Sequence, residues 1–364
     1  MNLVVKIGSS SVTTGDLDVN HPVVDSICDQ LSQLHAAGHR VALVTSGAIA
    51  LGLGRLGLRG ERPADLVTLQ AASAVGQVGL IAAWSGKMAE RGLVCGQILL
   101  SASDFMERRQ YLSARATLGR MLDQGIIPII NENDAVADDE IRLGDNDRIA
   151  ALVSGLVGAE VLVLLTDQEG LFTADPRRFE EATLIEEVRE VTRELASLAG
   201  GRGTSRGSGG MVTKIMAARI AAWSGVETLI AAASNPEVLR VAPTRRQGVG
   251  TWISKSRRRL PSRKLWIAFA LPSSGYVKVD EGARRAIRDR GSSLLAVGIT
   301  EVGGAFSAED AVEVIAEDGA VIAKGLARLG ADELGIELER RRAGLVSDFS
   351  AMAMHRDDMI LLEP

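Results

Sequence analysis

The sequence predicts an α/β protein, an open, mostly parallel sheet sandwiched by helices, followed by a small β-rich domain. Three observations carry this. Short apolar runs alternate with helical runs of ten to twenty residues from residue 1 to about 250. Several apolar runs, such as Val161-Leu162-Val163-Leu164-Leu165, show no polar alternation, the mark of strands covered on both faces. Beyond residue 250 the texture changes to short runs between glycine-rich turns.

In chain order, the predicted strands span residues 3–7, 40–45, 93–99, 126–130, 161–166 and 227–232. The first helix spans 21–37 and is closed by Gly38, a suitable C-terminal cap. Residues 66–86 carry no charge. Gln70, Ser73, Gln77 and Ser85 interrupt them, so a buried helix of a soluble core is expected rather than a membrane span. Residues 254–264 hold six basic side chains and Pro261, the composition of a solvated linker. The expected organisation is a catalytic domain over 1–253, a linker over 254–264 and a small domain over 265–364 with strands near 275–280 and 311–315.

Composition narrows the class of function. The 364 residues are 46% hydrophobic and 24% charged, a globular balance with room for two domains. A net charge of −5 and only 3% aromatics argue against a broad nucleic-acid surface. Cys28 and Cys95 lack metal-type spacing, and the first residues enter strand pattern without a secretory leader's features. A reduced, cytoplasmic setting is expected.

Familiar nucleotide signatures fail their contexts. Gly52-Leu53-Gly54-Arg55-Leu56-Gly57 spells G-x-G-x-x-G, but it arrives seven residues after the strand end at Thr45. A dinucleotide site requires that motif directly after a strand, so a loop is expected here. No G-x-x-x-x-G-K-[ST] occurs, and Asp145-Asn146-Asp147 lacks the glycine and distal glutamate of a calcium loop.

What remains is five loops at strand ends, where open α/β sheets bind ligands. Lys6-Ile7-Gly8-Ser9-Ser10 offers backbone N–H groups and an ammonium to an anion; a lysine inside an apolar strand favours that over a surface role. Thr45-Ser46-Gly47-Ala48 begins a helix, and Ser46 alone reads as a cap. The segment from Asn131-Glu132-Asn133-Asp134 to Gly144-Asp145-Asn146-Asp147 is rich in carboxylates and amides suited to an ammonium or Mg²⁺. Thr166-Asp167 closes a buried strand, followed by Gly170-Leu171-Phe172-Thr173-Ala174-Asp175-Pro176-Arg177. The last loop, residues 200–210, is glycine-rich and feeds a helix over 211–223 with Lys214 in its first turn. The macrodipole disfavours lysine there unless an anion is bound.

In this order the five loops resemble the amino-acid kinase family, on its glutamate-phosphorylating branch. Val44-Thr45-Ser46-Gly47-Ala48-Ile49-Ala50, Ala74-Val75-Gly76-Gln77 and Gly209-Gly210-Met211-Val212-Thr213-Lys214 share in the match. The C-terminal part resembles a PUA domain through Val279-Asp280-Glu281-Gly282-Ala283, Arg290-Gly291-Ser292-Ser293-Leu294-Leu295 and His355-Arg356-Asp357-Asp358-Met359. Ser208 stands where the family usually has threonine and Phe172 where tyrosine is common, and residues 200–207 are unusually arginine-rich.

The resemblance implies ATP-dependent phosphorylation of the glutamate γ-carboxylate, with Mg²⁺ carried by ATP and no protein-held metal. Lys6 and Lys214 are the implied contacts to the transferring phosphoryl group, with Asp167 orienting both. Nucleotide contacts would come from Lys6, Gly8, Thr166, Asp167, Ser208, Gly209, Gly210, Met211, Val212, Thr213 and Lys214. Glutamate would sit among Ser46, Gly47, Asn131, Asp134 and Asn146, with Asp145 and Asp147 as wider substrate or effector contacts. Proline as a feedback effector and a homo-oligomer are further implications. Other members of the family are the nearest alternative. RNA binding through the PUA-like part is a second, and residues 275–364 weigh against it. They hold eleven Lys/Arg against seventeen Asp/Glu, a formal charge of −6, where RNA affinity needs basic surface.

Overall fold

The computed structural model describes residues 1–60, 62–105, 107–136, 145–176, 178–192, 195, 209–256, 259–260, 262–269, 271, 273–344 and 351–362, with residues 102, 103, 145, 209, 262, 263, 266 and 269 described by backbone alone. They form two compact units, Met1–Arg259 and Leu260–Pro364.

Unit one is built on an eight-stranded sheet in the order β3-β4-β2-β1-β5-β7-β8-β6. Its central strand is β1 (Asn2–Ile7), parallel to β2 (Arg40–Val44) on one side and β5 (Val161–Thr166) on the other. β4 (Ile127–Glu132) and β3 (Cys95–Leu100) extend the first side; β7 (Glu227–Ala232) extends the second. β8 (Thr251–Ile253) runs antiparallel to β7, and the short β6 (Glu187–Val188) closes that edge. Leu3, Val4, Val5 and Ile7 are fully buried, as are Leu162 to Leu165, so the unbroken apolar runs reflect cover on both faces. From β1 the chain builds outward on one side through β2, β4 and β3, and only then returns to pair β5 with the other side of β1. The crevice at the carboxyl ends of β1 and β5 is therefore the switch point where such sheets bind ligands.

Five helices matter for the site. They are α1 (Ser9–Val12), α3 (Ala48–Arg55), α4 (Leu66–Ala89), α6 (Asp145–Leu156) and α7 (Gly209–Trp223); α2 (His21–Ala36) and α5 (Arg108–Asp123) cover the sheet elsewhere. The G-x-G-x-x-G segment corrects one expectation. Gly52 and Gly54 lie inside α3, not in a loop, and only Gly57 (φ +72°) is past its end. The reason is packing. A Cβ on Gly52 would stand 1.8 Å from the Ala72 carbonyl oxygen, and one on Gly76 would stand 1.8 Å from that of Ala48. The backbones of α3 and α4 thus touch through paired glycines. Gly76→Ala is expected to destabilise the fold by about 3 kcal/mol, the upper end for overpacking, because backbone must move. Urea denaturation checks this as a lowered midpoint at unchanged slope.

The uncharged stretch forms α4, and its burial is one-sided. Leu69, Ala72, Ser73, Gly76, Leu80, Trp84 and Met88 face inward, and the last four apolar or aromatic positions pack into the core or against α3. Val67 (68% exposed) and Val78 (64%) face outward, so the buried helix expected is buried along one face. By length and composition alone α4 is apolar enough to cross a membrane, but its inner face is committed to this core.

Unit two carries a six-stranded sheet, β10-β14-β13-β12-β9-β11. Its strands are β9 (Gly275–Val279), β10 (Leu294–Leu295), β11 (Ile299–Gly304), β12 (Ala311–Ile315), β13 (Val321–Ala327) and β14 (Met352–Leu361). β9 and β12 pair in parallel and the other neighbours antiparallel, over a core that includes Val277, Val279, Ile287, Val312 and Val314. A helix, Ser262–Phe269, begins inside the stretch expected to be linker.

Candidate active site

Lys6 lies near the carboxyl end of β1, Asp147 in the first turn of α6 and Lys214 in the second turn of α7. The fold brings the three together. Lys6 Nζ stands 2.6 Å from Asp147 Oδ1, and Lys214 Nζ 3.3 Å from Oδ2. The Thr213 hydroxyl donates to Oδ2 at 2.8 Å, and Lys214 also donates to the Gly210 carbonyl at 3.1 Å. The Gly8 backbone lies against the Lys6 ammonium: a Cβ there would be 3.7 Å from Nζ. None of the three charged residues is more than 7% exposed.

Burial pushes the Lys6 ammonium's pKa down; Asp147 offsets this in part, and Lys214 adds repulsion, so the net shift is downward. For Asp147 burial pushes up, but the two lysines and bonds from Lys6 and Thr213 hold its carboxyl below the usual value. With all three ionised the cluster carries one excess positive charge out of water. Such a charge is costly unless an anion joins it. The arrangement is chemically suited to an anionic group at the sheet's switch point.

The resemblance implied Asp167 as the acid that orients both lysines. The carboxylate between the lysines is that of Asp147, delivered by the start of α6 where that helix meets α7. Asp167, just past β5, instead accepts a hydrogen bond from the Thr166 hydroxyl at 3.0 Å. An acid in the first turn of a helix reads locally as dipole compensation, so sequence offered no sign of the bridging role.

Beside this cluster lies an amide network. The peptide N–H of Glu132 donates to Asn131 Oδ1 at 2.9 Å and to Asn146 Oδ1 at 3.1 Å. Asn146 Nδ2 donates to Asn131 Oδ1 at 3.1 Å, and Asn131 Nδ2 to Gln77 Oε1 at 2.8 Å. Asp134, 8% exposed, accepts from the Ser73 hydroxyl at 3.4 Å. Gly47 begins α3 at φ +110°, a conformation that explains glycine after Ser46. Thr45, fully buried, receives the Trp84 indole N–H at 3.1 Å. Asn131 and Asn146 are thus joined by a hydrogen bond, with Asp147 next to Asn146 in the chain. Ser73, Gln77 and Trp84 were missed as partners, since each reads as part of an apolar helix. Gly209, Gly210, Met211 and Val212 form the opening of α7, with Met211 and Val212 half-buried. Ser208, residues 200–207 and the side chain of Asp145 lie outside what the structure describes.

An open parallel sheet with a buried cation pair at its switch point defines a class, and the comparisons agree with it. The chain belongs to the amino acid kinase family, whose family model matches residues 1–232; that of the PUA domain matches residues 275–343. Three relatives over nearly full length carry the name of a kinase. Proteins named Glutamate 5-kinase from Haemophilus influenzae (strain PittGG) and Pasteurella multocida (strain Pm70) are each 45% identical, over 99% of this chain and 98% of theirs. A Glutamate 5-kinase of Burkholderia multivorans is 42% identical, over 99% of this chain and 97% of that protein.

Proposed function

We propose that the chain transfers the γ-phosphoryl group of ATP to the side-chain carboxylate of L-glutamate, giving L-glutamyl 5-phosphate, the first step of proline biosynthesis. The observation that carries this is the Lys6–Asp147–Lys214 cluster with its excess positive charge, beside the Asn131–Asn146 amides. A γ-carboxylate oxygen forms a bond to the γ-phosphorus while the bond to the β-phosphate oxygen breaks, and ADP leaves. The nucleophile is already ionised at neutral pH, so no general base is required. The obstacle is the approach of one anion to another, and catalysis is positioning and charge neutralisation. Lys6 and Lys214 supply the charge, and Asp147 holds them in place.

Mg²⁺ bound to the ATP phosphates would supply further neutralisation of their charge. The cation pair fits a polyphosphate, and Gly8, Thr166, Asp167 and residues 209–214 form the nucleotide side. Asp134 suits the substrate ammonium. The second N–H of the Asn131 and Asn146 amides, with backbone near Ser46 and Gly47, suits its carboxylates. Proline feedback, self-association and a cytoplasmic setting belong to the same proposal.

The test is ATP-dependent trapping of the acyl phosphate with hydroxylamine, comparing glutamate with acetylglutamate, carbamate and UMP. Glutamyl hydroxamate alone is expected. Folded protein that forms none, or prefers another acceptor, would overturn the assignment.

A further inference from the structure

Helix α4 carries three buried or half-buried polar groups that the phosphoryl-transfer scheme does not use. Ser73, Gln77 and Trp84 are spaced i, i+4 and i+11, which places them on one helical face. Each bonds a different segment of the acceptor side. Ser73 donates to Asp134, Gln77 accepts from Asn131, and Trp84 donates to Thr45, the residue before Ser46-Gly47. Between Ser73 and Gln77 sits Gly76, the point of backbone contact with α3. The helix is held there against the element that Gly47 begins.

The geometry points to Gln77 as a positioning residue that sets acceptor specificity by fixing how the Asn131 and Asn146 amides face the substrate; this rests on the acceptor site proposed above. A peptide N–H can only donate, so Glu132 N–H identifies the atoms it meets as Asn131 Oδ1 and Asn146 Oδ1. Asn131 Nδ2 must then face Gln77, and Gln77 must present Oε1. Asn146 Nδ2 is held by Asn131 Oδ1 in the same way. One acceptor oxygen on α4 therefore terminates the chain of amides and keeps it from flipping. Each Asn Nδ2 carries a second N–H beyond these bonds, and its direction follows from the first. Asn131 is 1% exposed, so solvent is a poor substitute for Gln77 Oε1.

The lysine cluster makes no bond to Gln77, so the effect should fall on one substrate. Gln77→Leu, similar in volume, is expected to raise KM for glutamate roughly tenfold or more, the cost of an unpaired buried donor, with KM for ATP within about twofold. Gln77→Glu keeps an acceptor oxygen and is expected to restore KM for glutamate to near the parent value. Should the leucine variant not fold, Gln77→Asn, which withdraws the acceptor by one methylene, is read in its place. An unchanged KM for glutamate, or an equal rise in both KM values that Gln77→Glu does not reverse, would overturn the inference alone. A folded parent that yields no glutamyl hydroxamate would overturn the acceptor assignment, and this inference with it.

Discussion

Asp147→Asn is expected to weaken the fold and cut turnover together. The asparagine keeps the shape, so the change isolates the charge. Asp147 is 1% exposed and pairs with both Lys6 and Lys214, and the amide would leave two ammonium groups in one buried site without an anion. Removing one member of a buried ion pair costs roughly 3–5 kcal/mol. The sign of the pH dependence is set by Asp147's lowered pKa: its stabilisation is full above the ordinary value of 3.8 and is lost as pH falls through the folded value. The stability gap between parent and variant should therefore shrink below pH 3.8. Lys6 adds an alkaline signature. Its pKa is already depressed, and Asp147 is what holds it up against burial and Lys214. Lys6 serves as a cation, so kcat/KM should fall as pH rises through that pKa, and the limb should move to lower pH in the variant. Urea denaturation across pH, with a pH–rate profile, checks both. A variant with parental stability and an unmoved limb would show that Asp147 does not bridge the lysines.

Lys214→Ala should give the opposite combination, a large loss of turnover with little loss of stability. Lys214 supplies the excess positive charge; without it Lys6 and Asp147 remain as a neutral pair 2.6 Å apart. The free enzyme is then relieved of a buried charge, and its thermal midpoint should not fall. In the proposed transfer the transition state loses a donor to the transferring phosphoryl group, a loss of roughly 10²–10³ in kcat. Arginine at this position should not rescue, because its planar fork does not reproduce a compact ammonium bonded at once to Asp147 and the Gly210 carbonyl. Turnover near the parent's in Lys214→Ala would remove this residue from the mechanism.

The contrast between the two variants shows where sequence reading succeeds and fails. β1, β5 and β7 were legible because strands buried on both faces must be continuously apolar, and Lys6 stood out because it interrupts such a run. Lys214 stood out because the sequence put it in a helix's first turn, where lysine opposes the dipole; α7 in fact begins at Gly209, which leaves Lys214 in the second turn. Asp147 was named only as a wider substrate or effector contact, and its place between the lysines left no local mark, because an acid at a helix start needs no explanation. Gln77 and Ser73 were hidden for a related reason: in an uncharged helix a lone amide or hydroxyl reads as an interruption, and its partners lie on other elements. The glycines at 52 and 76 were legible as glycines but not as a pair, since only the crossing of α3 and α4 brings Gly52 against Ala72 and Gly76 against Ala48.

The amino-acid order by itself determined the class of sheet and the chemical types gathered at its strand ends, because burial on two faces and backbone access to an anion leave local marks. The tertiary structure decided which acid stands between Lys6 and Lys214, and which helix holds the Asn131 and Asn146 amides. Those choices depend on which helix start meets which strand end across the sheet. That is a matter of strand order and helix packing, and no window of neighbouring residues contains it.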